Sequence, residues 1–172
     1  MKNWTLRAQM RAALATLALL VIALGIFSLD RMAAVNDQST LIARTWMVRA
    51  NLLNAANTAT SDYRIAEATH ILSKSDAAMA QAERDLDRIR KDIDQRFDSY
   101  LKSDLHPEER EIINHVVGEW REYLEKSREV ITISRRNENE AAAQHFMSTK
   151  TTFDDFSEGL LKLVTLDTRF GE

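Results

Sequence analysis

At 172 residues, 45% of them hydrophobic, the chain is long enough for one domain with a core of its own. Four glycines and one proline are too few turn residues for a sheet protein, and the absence of cysteine excludes disulfide scaffolds, thiolate metal sites, c-type haem attachment and a catalytic thiol. The net charge of −3 is unevenly spread: residues 1–29 carry Lys2, Arg7 and Arg11 without an acid, and the acidic remainder argues against a nucleic-acid binder.

Ala, Leu, Glu, Arg, Asp and Lys dominate, which is the composition of long helices and an all-α fold. The first element is the uncharged run from Ala12 to Leu29. As a helix rising ~1.5 Å per residue it covers roughly 27 Å, close to the ~30 Å hydrocarbon thickness of a bilayer. Arg11 can snorkel and lengthen the usable span. The basic residues of 1–29 all precede the run, so residues 1–11 are expected in the cytoplasm and residues 30–172 in the periplasm. A cleaved signal peptide is the competing reading. The run is long for a signal peptide, and its cleavage sites are poor: Ala23-Leu24-Gly25 lies inside it, and Met32-Ala33-Ala34 has a bulky residue at −3. The reading adopted is an uncleaved transmembrane helix over 12–29.

Four amphipathic stretches follow, expected at about 30–73, 76–103, 107–136 and 139–170. The first continues from the apolar run without a breaker. Ser75 is the expected N-cap of the second, with Asp76 complementing the helix dipole. The seam Ala82, Leu86, Ile89, Ile93, Phe97 and Tyr100 alternates steps of four and three, the pattern of a bundle helix. His106-Pro107-Glu108-Glu109 opens the third, which carries Ile113, Val116, Trp120, Tyr123, Ser127 and Val130 and stops around Arg135-Arg136-Asn137. The fourth places Phe146, Thr149, Phe153, Phe156, Leu160 and Leu163 on one face. Short polar connections join them into an up-down-up-down antiparallel four-helix bundle whose first helix continues from the transmembrane helix. The fourth helix is shorter than the first, so the chain reads as a fragment cut before a second transmembrane helix.

At this point the sequence resembles the four-helix-bundle sensor domain of methyl-accepting chemotaxis proteins over nearly its whole length. The resemblance rests on Met1-Lys2-Asn3-Trp4-Thr5-Leu6-Arg7 running into the anchor and on the uninterrupted helix that emerges. It rests also on Leu105-His106-Pro107-Glu108-Glu109-Arg110, on Trp120-Arg121-Glu122-Tyr123 and on the turn Asn137-Glu138-Asn139-Glu140. It implies a periplasmic sensor in the bacterial inner membrane, a homodimer that binds a small molecule such as an organic acid or amino acid. The signal passes by a small movement of the last helix, with no cofactor and no catalysis. Some members respond through a periplasmic binding protein. The same module precedes histidine kinases and diguanylate cyclases, and a membrane-anchored helical adaptor is the reading from another class.

Arginines that grip carboxylates are the recognition device of the aspartate and serine receptors, because the guanidinium fork matches a carboxylate bidentately. Gln38-Ser39-Thr40-Leu41 followed by Trp46 is similar to those receptors, but their spaced arginine set is not reproduced. At a comparable height stand Tyr63, Arg64 and His70, with Arg49 and Arg44 lower, and Thr149 is expected to approach Arg64 across the bundle. These residues are the candidate ligand site, against the plainer reading of arginines solvated or paired with nearby acids. Thr45, Ser127 and Thr149 lie on or beside apolar faces, where they line a pocket or back-bond to their own helices. Glu67-Ala68-Thr69-His70 has the Glu-x-x-His form of di-iron bundles but lacks the second copy such sites need. His115 is expected to be partly buried, and the phenylalanines at 146, 153 and 156 to be core.

Overall fold

A computed structural model describes residues 6–41 and 46–170, and among these every regular element is a helix. They are α1 (Leu6–Leu41), α2 (Met47–Leu72), α3 (Asp76–Leu101), α4 (Pro107–Arg135), α5 (Asn139–Ser148) and α6 (Lys150–Phe170). The chain forms two compact units, Met1–Arg44 and Thr45–Glu172.

The first unit is built on α1. Its segment Gln9–Met32, 24 residues long, is long and apolar enough to cross a membrane, and none of it is buried. At ~1.5 Å per residue it covers about 36 Å. Leu14, Leu17, Leu20, Leu24 and Phe27 are exposed around its circumference, so no single face seeks a protein core. The expected continuity of the first long helix runs through residues 42–45, which lie outside the described residues, as do Arg44 and Thr45.

The second unit is a bundle. Ser75 caps α3, its hydroxyl accepting from the Ala78 N–H at 3.3 Å. His106 caps α4 with Pro107 at the first helical position, and the Glu109 carboxylate accepts from the His106 N–H at 2.7 Å to close a capping box. Asn137 stands in the left-handed region, φ 58°, which ends α4 and turns the chain into α5. The start of α2 meets the end of α3, the start of α4 and the end of α6 through Arg49, Tyr100, Glu109 and Asp167. The end of α2 meets the start of α3 and the end of α4 through His70, Glu83 and Ser134. α2 and α4 therefore run one way and α3 and α6 the other, which is the expected up-down-up-down order.

The expected seams of α3 and α4 are buried throughout, from Ala82 to Tyr100 and from Ile113 to Val130. At mid-height the core is aromatic. Trp120 and Tyr123 stack at 5.7 Å, and Tyr63 and Phe156 meet Trp120 edge-on at 5.2 and 5.6 Å. α4 and α6 approach so closely at Gly159 that an added Cβ would lie 2.5 Å from Val116 Cγ2.

Two expectations are corrected. The helix expected over 139–170 is two segments, α5 and α6, meeting at Thr149. The Phe146 carbonyl there accepts from Thr149 N at 3.2 Å, from Thr149 Oγ1 at 2.7 Å and from Arg64 Nη2 at 3.3 Å. A local side-chain bond, which by itself only bends or weakens a helix, and a cross-helix donor together compete with the regular ladder at that carbonyl. His115, expected to be partly buried, is exposed and pairs with Glu119 at 3.1 Å. The buried phase of α4 runs through 113, 116 and 120, and at about 100° per residue position 115 falls outside it.

Candidate functional site

The core-facing side of α2 is unusual for a bundle helix. Alongside Leu53, Ala56 and Ala66 it buries Arg49, Thr60, Tyr63, Glu67 and His70. The five candidate residues from the sequence divide among four places in the bundle.

Arg64 and Thr149 come together. Arg64 Nη1 donates to Thr149 Oγ1 at 2.9 Å and to the Tyr123 hydroxyl at 3.1 Å, while Nη2 donates to the Phe146 carbonyl. The guanidinium lies 4.1 Å from the Phe146 ring centroid and 5.0 Å from that of Phe153, within cation–π range. Phe146 and Phe153 are only partly buried, and their rings face this cation, while Phe156 is fully in the core. Arg64 thus bridges α2, α4 and the break between α5 and α6. It forms no salt bridge among the described residues: its three hydrogen-bond partners are neutral, and Nε takes no part in those bonds.

Behind Arg64 the polar path continues inward. The Tyr123 hydroxyl donates to Glu67 Oε2, and Glu67 is fully buried with Oε1 unpaired. Burial pushes the Glu67 carboxyl above its ordinary range, although the Ser127 and Tyr123 hydroxyls and the Arg64 charge pull the other way. Tyr123 is likewise raised by burial and by the nearby Glu67.

Tyr63 faces the other side of the bundle. Its hydroxyl meets Ser127 Oγ at 3.1 Å, and burial pushes its pKa up to about 12. The two hydroxyls form part of the lining of a groove of about 430 Å³ between α3 and α4, walled by Leu86, Leu124 and Ile131. Charges on its rim are already matched: Arg90 bridges Asp87 and Asp94, and Arg128 pairs with Glu125. Further out, His70 Nδ1 meets Ser134 Oγ at 2.9 Å and Nε2 meets Glu83 Oε1 at 3.2 Å. Arg135 grips the same Glu83 through Nε and Nη2 and draws its pKa below the carboxylate range. Glu67 and His70, three residues apart, therefore serve different partners.

Arg49 belongs to the base. Its Nη2 contacts Glu109 Oε1 and lies 2.6 Å from Asp167 Oδ1, with both carboxylates and the guanidinium at most 3% exposed. Nη1 donates to the Asp104 carbonyl at 3.0 Å, and the rings of Trp46 and Tyr100 lie 5.2 and 5.4 Å from the guanidinium carbon. Burial alone would lower the Arg49 pKa, but its bonds to Glu109 and Tyr100 and the Asp167 charge hold it above its ordinary value. Arg49 is closed off by its own chain.

Glu67, Tyr123, Glu109 and Asp167 carry much of this chemistry, and none stood among the candidate site residues of the sequence. Their phase was a usable signal. Glu67 follows Tyr63 by four residues, and Asp167 follows Leu163 by four, so each charged residue occupies a core position of its helix.

No curated protein matches the chain. The family model described as a four helix bundle sensory module for signal transduction matches residues 3–172, and the chain belongs to that family.

Proposed function

From membership in a sensory family rather than a catalytic one, we propose that this chain is the extracytoplasmic sensor of a bacterial chemoreceptor. It is held in the inner membrane by residues 12–29, faces the periplasm with residues 30–172 and performs no catalysis. The ligand is a small carboxylate, an organic acid or amino acid, received at Arg64. One observation carries the site: Arg64 is a half-buried cation bound only to neutral acceptors and ring faces. A carboxylate arriving there gains a charge-assisted bond without displacing an acid. Arg64 also holds Thr149 and the Phe146 carbonyl, the two groups at the break in the last long helix. A ligand that draws Arg64 away from them biases α6 against α2 and α4, by as much as its affinity differs between the two positions.

A homodimer fits the outer side of α2. Val48 is exposed and Leu52 and Ala55 are partly exposed at steps of four and three, and further along the helix Ile65 and Leu72 are exposed seven residues apart. Such a seam suits a second copy of the same helix.

The test is a thermal-shift screen of the full chain in detergent micelles against organic acids, amino acids and aromatic acids. A ligand at 100-fold over its dissociation constant adds about 2.7 kcal/mol to the stability of the native state. A carboxylate hit is expected, with its shift abolished in Arg64→Ala. A hit that shifts Arg64→Ala as much as the parent chain would remove the site from Arg64. A silent panel on a folded dimer would point to sensing through a periplasmic binding protein.

A further inference from the structure

Glu109 and Asp167 both approach one nitrogen of Arg49, which places their carboxylates within about 5 Å of each other. We infer that the Arg49–Glu109–Asp167 cluster is a proton-binding site that ties the seating of α6 on α2 and α4 to the surrounding pH.

The charge count comes first. One guanidinium cannot neutralise two carboxylates, and the three groups are almost completely removed from water. Two like charges so close in a buried site do not both ionise freely, so the pair holds one proton across part of the pH range. The surroundings decide which carboxyl takes it. Glu109 accepts from the His106 N–H at 2.7 Å in addition to Arg49. Although burial opposes it, these donors hold Glu109 below the ordinary carboxylate value. Among the described residues Asp167 receives no well-aligned hydrogen bond at either oxygen, even with Nη2 close to Oδ1. Burial and the neighbouring Glu109 push Asp167 up to about 7, against the pull of Arg49. The groups facing Asp167 are Arg49 from α2, Tyr100 from α3 and Glu109 from α4, and burial raises Tyr100 so that it stays neutral.

With the proton on, the cluster is neutral and Asp167 adds no uncompensated charge to the interface. With the proton off, one net negative charge is buried where α6 meets α2 and α4. The folded pKa lies above the ordinary aspartate value of 3.8, so the folded state holds the proton more tightly. The stability due to Asp167 is complete below that ordinary value, declines as pH rises towards about 7 and is flat above. The window overlaps the range in which a histidine would titrate. This inference does not depend on Arg64 or on any ligand.

The experiment is a carboxyl carbon NMR titration of the full chain, aspartate-labelled, in detergent micelles without ligand. One aspartate resonance is expected to titrate near neutrality and to vanish in Asp167→Asn. In Glu109→Gln, which removes the like charge and keeps the shape, its midpoint should fall by at least one pH unit. That shift separates a proton site from a merely structural contact. Spin labels at exposed Asn51 and Thr168 would report the seating of α6, with their distance changing between pH 5 and pH 8 in the parent chain and not in Asp167→Asn. An Asp167 resonance titrating in the ordinary carboxylate range would overturn the inference, as would an unmoved midpoint in Glu109→Gln. A label distance independent of pH would overturn the link to α6. Should Asp167→Asn fail to fold, the Glu109→Gln shift and the label distance in the parent chain still decide.

Discussion

Arg49 and Arg64 sit on the same helix and both reach across the bundle to other helices, yet their surroundings differ. Arg49 has two buried carboxylates, a carbonyl and two ring faces, and its charge is more than matched. Arg64 has two hydroxyls, a carbonyl and ring faces, and its charge is unmatched among the described residues. A buried cation with its counter-ions in place holds helices together. A half-buried cation without them is the one at which the proposed carboxylate would not have to displace an acid. The comparison separates a base that fastens α2, α3, α4 and α6 from a middle region where the last long helix is broken and Arg64 bonds to both sides of the break.

The largest expected effect tests that separation directly. Arg49→Ala leaves two carboxylates buried without their cation and is expected to cost about 3–5 kcal/mol, the range for breaking one side of a buried ion pair. Arg64→Ala removes hydrogen bonds to neutral groups and is expected to cost about 1–2 kcal/mol. Chemical denaturation of the full chain measures both. Equal costs, or a larger one for Arg64, would break the comparison.

Gly159→Ala comes next. The new methyl would clash with Val116 Cγ2, and overpacking of this kind costs about 1–3 kcal/mol. Val116→Ala in the same chain should recover most of the loss, because the clash is with that side chain. If denaturation shows no loss, α6 can drift from α4 freely, and the base and the middle are more loosely joined than the packing implies.

The smallest effect concerns the carboxyl on the Arg64 side. Glu67 is raised above 4.5 by burial, so its stabilising share is complete below that pH and shrinks as pH rises through the folded value. Glu67→Gln, neutral at every pH, should lose less stability than the parent chain between pH 5 and pH 8. Urea midpoints across that range supply the check. A Glu67→Gln chain with unchanged pH dependence would mean that Glu67 is ionised in the fold, and Arg64 would then have a charged neighbour after all.

Much of the bundle was legible because its signals are local. Ser75, the His106-Pro107 start and the stop near Asn137 are written in adjacent residues, and the seams of α3 and α4 follow from spacing alone. The break at Thr149 was not legible. A lone threonine in a helix seldom interrupts it, and here its own bond to the Phe146 carbonyl is joined by one from Arg64, 85 residues away in sequence. The candidate site was half legible. The approach of Arg64 to Thr149 follows from helix order and height, whereas the phase of Glu67 marks a core position without saying which residues of other helices it meets there.

What the sequence determined by itself was the all-helical class, an apolar segment long enough for a bilayer, the order of the helices and their apolar seams. Each is a property of periodicity, length or neighbouring residues. Which arginine is sealed by carboxylates and which is left to neutral partners was decided only by tertiary structure. Those partners come from four different segments, and the free energy of a buried charge depends on what the other segments place beside it.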